Sequence, residues 1–371
     1  MRVFGWLLML VLAVHARGAA ADVWMTHMRP ELLAQPGSQW TWVRQRLGAV
    51  EFYINTISSY IPADDLKRLV PVLRQNKIKI AIECGYFDWD NKCRDYTAPN
   101  PKGMTDFVRE QFDTNLGEET AQIEMLKIRN LLDAGGIPDY LNLDGPVRRM
   151  MHPGTDIGRH VNGLDSIDRA VAELVDYMRA WKRKFPKIKF FALTNFPNWG
   201  WKGESSYWGG GMFYGDYYEV LTKIIAKTKA AGIPIAGVTT DNPYEFFTGQ
   251  WPHKAWMDAP WQLPSTREPS DPSQIDWSAR LLELQQLVKS EGLEFNLIVN
   301  SCGGGGSSSE AFCTGTLDYL DAYSKAGGSA DRYIVQSWYK YPEEVVPATT
   351  PYTMTWLVKK VMERLNQAPA H

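Results

Sequence analysis

Eight times along this chain a short apolar segment of strand type is followed by a longer run of helix type. That alternation limits the possible folds more than any other feature of the sequence. The strand-type segments are residues 22–26, 50–55, 77–83, 139–144, 187–194, 235–240, 293–299 and 332–337. The helical runs reach from the first strand to residue 47, then cover 62–75, 117–132, 166–185, 217–231, 275–290, 316–326 and 352–365. Strictly alternating strands and helices build a parallel sheet, because each crossover returns the chain to the same edge. Eight such units close into a (β/α)8 barrel. An open doubly wound sheet has fewer units and a glycine-rich first turn, and residues 22–26 lead into no such turn. No internal repeat or linker divides the chain, so residues 22–371 are read as one domain.

In a barrel of this kind the reacting groups lie at the carboxyl ends of the strands. Those ends read His27, Asn55, Glu83, Asp144, Asn195, Asp241, Asn300 and Gln336. Such a ring of carboxyls and amides suits a ligand rich in hydroxyl groups. Asp144 is the leading candidate. It ends the apolar run Tyr140-Leu141-Asn142-Leu143 and stands before Gly145-Pro146, where the chain must turn. The plainer reading is an Asp that only caps that turn.

The loops after strands four, five and six are long and aromatic. They carry Trp199, Trp201, Tyr207, Trp208, Tyr244, Phe246, Phe247, Trp251, Trp256 and Trp261, and Trp338 follows strand eight. The whole chain has 15 Trp, 17 Tyr and 14 Phe. Flat rings stack on the C–H faces of sugars, which makes these loops a candidate carbohydrate cleft. The equal alternative is that the rings pack on one another as an extension of the core.

Residues 1–21 read as a secretory signal: Arg2, an apolar stretch from Val3 to Val14 too short to span a bilayer, then Ala19-Ala20-Ala21 before Asp22. A secreted or periplasmic protein is expected, with no membrane contact after cleavage. A net charge of -2 with 22% charged residues gives no footprint for nucleic acid. The four cysteines form two local pairs, Cys84 with Cys93 and Cys302 with Cys313. In an exported chain these are expected as disulfides, each worth about 2–3 kcal/mol. Metal binding is the rival, but the spacings are wide and His is scarce, so no metal and no cofactor is expected. The run Gly303 to Gly306 is read as a flexible rim loop tethered by Cys302 and Cys313. A phosphate cradle is the alternative.

A secreted (β/α)8 barrel with carboxylates at its strand ends and Trp-rich loops resembles the glycoside hydrolases. Its layout is similar to the α-galactosidase-like and α-glucosidase-like barrels, where an Asp ending strand four is the nucleophile and an Asp after strand six the acid/base. Asp144 and Asp241 occupy those places. The cellulase-like clan ends strand four with Asn-Glu and strand seven with Glu, whereas this chain has Asp144-Gly145 and Val299-Asn300. The resemblance implies hydrolysis of an oligo- or polysaccharide by two carboxyl groups, one protonated and one ionised. The candidates rank Asp144, Asp241, then Glu83, with Glu245 and Glu310 in reserve on loops. Arg148 or Arg149 would hold Asp144 ionised or bind an acidic sugar. Two other readings stay open. One is a glycan-binding barrel without catalysis. The other is a metal-dependent exported phosphodiesterase using His27, Glu83, Asp144 and His152.

Overall fold

The computed structural model describes residues 22–35, 39–87, 112–151, 164, 166–204, 206, 215–249 and 275–367. The signal-type segment 1–21, the residues Asp88, Trp89, Asp90, Cys93 and His152, and the aromatics Tyr207, Trp208, Trp251, Trp256 and Trp261 lie outside the described residues. Eight parallel strands close into a barrel in sequence order: β1 Asp22–His27, β2 Ala49–Tyr53, β3 Lys79–Cys84, β4 Tyr140–Asp144, β5 Lys189–Asn195, β6 Gly237–Asp241, β7 Glu294–Val299 and β8 Arg332–Ser337. The last strand pairs with the first from Asp22↔Arg332 to His27↔Ser337, so the sheet has no free edge.

Side chains alternate across each strand, and this sorts the core into two parts. Leu141 and Leu143 of β4 face outward into the apolar layer between barrel and helices. Trp24, Ala49, Ala81, Phe191, Leu193, Ile298 and Ile334 fill the barrel itself. At its amino-terminal end the buried guanidinium of Arg332 lies over the rings of Trp24, Tyr140 and Phe191, 4.5, 5.5 and 5.0 Å from their centroids. The same group pairs with Asp22 at 3.0 Å and Glu294 at 2.8 Å. That end of the barrel is therefore plugged, and the opposite end is free to hold a site.

The helices begin where the sequence supplies caps. Ser166 caps Ile167–Lys184, Asp216 caps Tyr217–Ala230, Asp276 caps Trp277–Ser290 and Ser308 caps Ser309–Lys325. The last of these corrects the expected start at residue 316: Ser308 accepts from Ala311 N at 3.0 Å, which nucleates the helix two turns earlier and puts Glu310 in its first turn. The run expected as one helix over 117–132 is two, Phe112–Lys127 and Arg129–Asp133, separated at Ile128. Among the described residues no helix is long and apolar enough to cross a membrane.

The disulfide expectation is overturned. Cys84, Cys302 and Cys313 are free thiols, and all three are buried. Cys84 Sγ meets Tyr177 Oη at 3.3 Å, and Cys302 Sγ donates to Glu245 Oε2 at 3.1 Å. Cys84 and Cys302 are partners of internal polar groups, and Cys313 is buried in the apolar core. The glycine run is not a loose rim loop either. Cys302–Gly305 is a helical turn capped by Ser301, with Gly304 and Gly305 buried. A Cβ on Gly305 would stand 2.3 Å from Tyr339 Cγ, and one on Gly304 2.6 Å from the backbone of Ala311. Glycine is needed here for close approach.

Candidate active site

At the carboxyl-terminal mouth lies a cavity of about 530 Å³. Glu83, Asp144 and Asp241 all line it, so the three acids ranked from the sequence do share one space. Asn55, Asn195, Gln336 and Trp338 line it as well, as expected. Arg149, one of the two arginines expected to serve Asp144, lines it too, as do Tyr53, Tyr60, Tyr86 and Met28, which were not foreseen as site residues.

The strands place the acids by register. Asp144 is the last residue of β4 and pairs with Leu193, while Asp241 ends β6 opposite Asn195. Glu83 is one residue from the end of β3, beside Tyr53 on one side and Asn142 on the other. Gly145, at φ +56, then turns the chain into Pro146–Met151. That φ is strained for a residue with a Cβ.

The three carboxyls have different surroundings. Asp144 is ion-paired: Arg149 donates to its carboxylate and, through Nε, to its backbone oxygen at 2.9 Å. The guanidinium lies 4.8 Å from the ring centre of Tyr86. Among the described residues Asp241 has one donor, the neutral Asn300 Nδ2 at 3.2 Å. Burial lifts its carboxyl to about 7 against that hydrogen bond, and the negative charge of Asp144 adds to the rise. Glu83 accepts from Gln336 Nε2 at 2.7 Å and Tyr86 Oη at 3.1 Å. Burial holds it well above the usual carboxylate range, with the charges of Asp144 and then Glu51 contributing. The cavity thus sets one charge-paired carboxylate beside two acids that favour their protons. Gln336 Oε1 is buried without a hydrogen-bond partner, an acceptor suited to a ligand hydroxyl.

The loop carrying Tyr86 is pinned from behind. Glu124, buried in Phe112–Lys127, accepts from Gly85 N at 3.0 Å, Tyr86 N at 3.2 Å and the Tyr177 hydroxyl. Three residues on, Lys127 gives its ammonium to Asn55 Oδ1 at 3.1 Å on the cavity wall. Neither role had a local signal in the sequence, because both depend on which loop the helix lies against.

Other candidates sit elsewhere. His27 is buried and fully engaged: Nδ1 accepts from Arg29 N at 3.0 Å, so Nε2 donates to Pro342 O at 3.0 Å. Asn300 does not line the cavity but reaches it through Asp241. Arg148 does not line it, and the neighbouring Arg149 holds Asp144 instead. Trp199 and Trp201 are core residues, 3% and 2% exposed, packed on Tyr217 and Phe196. Tyr244 packs toward Tyr319, and Phe246 and Phe247 are buried. For these rings the packing alternative is the one realised. Trp338 differs. It is half-buried on the cavity wall and stacks on Tyr339 with centroids 4.3 Å apart.

Glu245 is no loop acid. It is buried and accepts from Ser301 Oγ at 2.6 Å, Cys302 N at 2.9 Å and Gly303 N at 2.8 Å. It braces the turn after β7. Glu310 accepts from Tyr352 Oη at 3.0 Å on the surface. Among the described residues, no group of three His, Cys, Asp or Glu side chains is placed to hold a metal ion.

No family model matches this chain, and no curated protein matches it. Among solved structures it is similar to a psychrophilic glycoside hydrolase family 10 endo-beta-1,4-xylanase, at 9% identity, over 94% of this chain and 98% of that one, with a TM-score of 0.48. It is also similar to xylanase 10B from Thermotoga maritima, at 10% identity over 94% and 97%, with a TM-score of 0.45. An HpcH/HpaI aldolase from Desulfitobacterium hafniense DCB-2 matches at 9% identity over 94% of each chain, with a TM-score of 0.36. At these similarities none of the three assigns a reaction to this chain.

Proposed function

We propose that this protein is an exported glycoside hydrolase acting on an oligo- or polysaccharide, with Asp144 and Asp241 as its two working carboxyls. One observation carries the reading. In a single 530 Å³ cavity, one strand-end carboxylate is paired with a cation while another, buried and bonded only to an amide, is lifted to about 7. Glycosidic cleavage needs that division, an ionised carboxylate and a protonated acid flanking one bond.

In this reading Asp144, held in place by Arg149, meets the anomeric carbon or the water that attacks it. Asp241 gives its proton to the departing oxygen, and a carboxyl titrating near neutrality is well matched to that transfer. Glu83, kept protonated, donates a hydrogen bond to a sugar hydroxyl. Trp338 offers its face to the ring, and the amides of Asn195 and Gln336 take the remaining hydroxyls.

A panel of aryl glycosides and plant and microbial oligosaccharides, assayed with the native protein, Asp144→Asn and Asp241→Asn, tests the reading. Hydrolysis by the native protein, lost in both variants and restored to Asp144→Asn by azide, is the expected result. Binding of oligosaccharides without turnover by the native protein would replace the hydrolase reading with a glycan-binding one.

A further inference from the structure

One layer beneath the cavity, β2 carries a fourth carboxyl, Glu51, with no exposed surface at all. Thr26 Oγ1 donates to its Oε2 at 2.7 Å from β1, and Asn142 Nδ2 donates to its Oε1 at 3.0 Å from β4. Both partners are neutral. Glu51 precedes Tyr53 by two residues, and Tyr53 stands beside Glu83 in the sheet. Asn142 lies directly across from Glu83 and two residues before Asp144. A single neutral network therefore joins Glu51 to the strand positions that carry both upper acids.

The groups facing this pair come from every side. Tyr53 on β2, Asp144 on β4 with its Arg149, Asp241 on β6, Gln336 on β8 and Tyr86 beyond β3 surround Glu83. The charge of Arg332 also reaches Glu51, but that guanidinium is already bonded to Asp22, Glu294 and Asn296. Two buried carboxyls linked through Asn142 and the β2–β3 register, with no cation bonded to either among the described residues, do not both ionise at little cost. Asn142 supplies an independent sign of where a proton resides. Its Oδ1 is buried and has no hydrogen-bond partner. A protonated Glu51 needs an acceptor, and a half-turn of the Asn142 amide brings Oδ1 to it.

We infer that Glu51 is a positioning residue: a buried, proton-holding carboxyl that governs how firmly Glu83 keeps its own proton, and so keeps Glu83 a donor to substrate. Burial lifts Glu51 to about 7, against the hydrogen bonds from Thr26 and Asn142, and the repulsion between the two acids raises Glu83. As Glu51 ionises, its charge strengthens the hold of Glu83 on its own proton. The last step, donation to substrate, rests on the glycosidase reading; the coupling of the two acids does not.

The experiment is a carboxyl titration of the full chain labelled with ¹³Cδ glutamate, with the Glu51 and Glu83 resonances assigned from Glu51→Gln and Glu83→Gln. In the native protein the Glu83 signal is expected to bend as Glu51 ionises near pH 7. In Glu51→Gln that bend disappears and the Glu83 midpoint moves to lower pH. The Gln amide can donate to the orphan Asn142 Oδ1, so the variant keeps a partner for each polar atom. Should it fail to fold, Glu51→Met removes the same charge at similar volume. An unchanged Glu83 midpoint in a folded variant overturns the inference. With a glycoside that is turned over, the variant raises KM above neutral pH with little change in kcat. If no glycoside is turned over, the titration still decides the coupling, and the two failures remain distinct.

Discussion

Arg149 holds Asp144 at both ends, donating Nε to its backbone oxygen at 2.9 Å and a terminal nitrogen to its carboxylate. The five-residue separation sets the guanidinium over the first turn of Pro146–Met151, back toward the strand it followed. Tyr86 supports its flat face. A planar fork bonded twice fixes direction as well as charge, which lysine does not reproduce.

Replacing Arg149 by Gln is therefore expected to loosen the carboxylate without emptying the core. A displacement on the order of 1 Å at a reacting group costs roughly 10²-fold. The kcat of Arg149→Gln should fall by about that factor, and Arg149→Lys should recover only part of it. Thermal melts of all three proteins check that the loss is not one of folding. An Arg149→Gln enzyme with native kcat would remove the pair from the mechanism.

Asp241 gives a pH prediction with a fixed sign. In the proposed reaction Asp241 is the general acid and must carry its proton, and burial lifts its carboxyl to about 7. Activity should therefore fall as the pH rises through about 7. In Asp241→Asn the fall should vanish along with roughly 10²–10⁴ of the rate. Aryl glycosides with acidic leaving groups should lose less, because their departing oxygen needs no proton. The check is the profile of kcat/KM for a good and a poor leaving group in both proteins.

The same carboxyl should cost stability. Its proton affinity is raised on folding, so between about pH 4 and 7 the native state holds a proton that the unfolded chain releases. Stability then declines as the pH rises through that window, by on the order of 3–4 kcal/mol from this group. Asp241→Asn, which has no such proton to lose, should match the native protein near pH 4 and exceed it by roughly the same 3–4 kcal/mol at pH 8, while being inactive. Urea unfolding at the two pH values measures it, and equal differences at both would refute the linkage.

The barrel was legible in the sequence because its strands are short, apolar and evenly interleaved with capped helices. Six of the eight polar strand-end residues, Asn55, Glu83, Asp144, Asn195, Asp241 and Gln336, reach the cavity by position alone. What could not be read was which face a side chain takes and what lies behind it. Trp199 and Trp201 have the composition of a sugar platform yet pack on Phe196 and Tyr217, because the chain after β5 folds back on its own helix. Glu51 looks like any strand carboxylate, and only barrel closure reveals that it points inward at Thr26 and Asn142. Cys302 and Cys313 have loop-closing spacing, but the glycines between them form a helical turn that gives each thiol its own setting.

Among the described residues Trp338 is the tryptophan that lines the cavity. An aromatic contact of this kind is worth about 0.5–1.5 kcal/mol, which corresponds to roughly a two- to tenfold change in binding. Trp338→Ala should raise KM by about that factor and leave kcat nearly unchanged, as expected for a contact made equally in ground and transition states. Trp199→Ala, by contrast, should unfold the protein at lower temperature before it alters KM. Steady-state kinetics beside thermal melts separate the two tryptophans.

Glu245 provides a test of how the far wall is held. Its carboxylate takes the buried Ser301 hydroxyl and Cys302 amide and the part-buried amide of Gly303. Asn300, directly before that turn, is the donor to Asp241. Hydrogen bonds to a charged group contribute about 1.5–3 kcal/mol each, so Glu245→Ala should lower stability by roughly 3 kcal/mol or more, and Glu245→Gln by less. The turn would then release Asn300, whose hydrogen bond supports the ionised form of Asp241 against burial. Losing that hydrogen bond favours the protonated acid, so the alkaline limb of Glu245→Gln should move to higher pH. A variant that is less stable but keeps the native limb would confine Glu245 to the scaffold and leave Asn300 fixed by β7 alone.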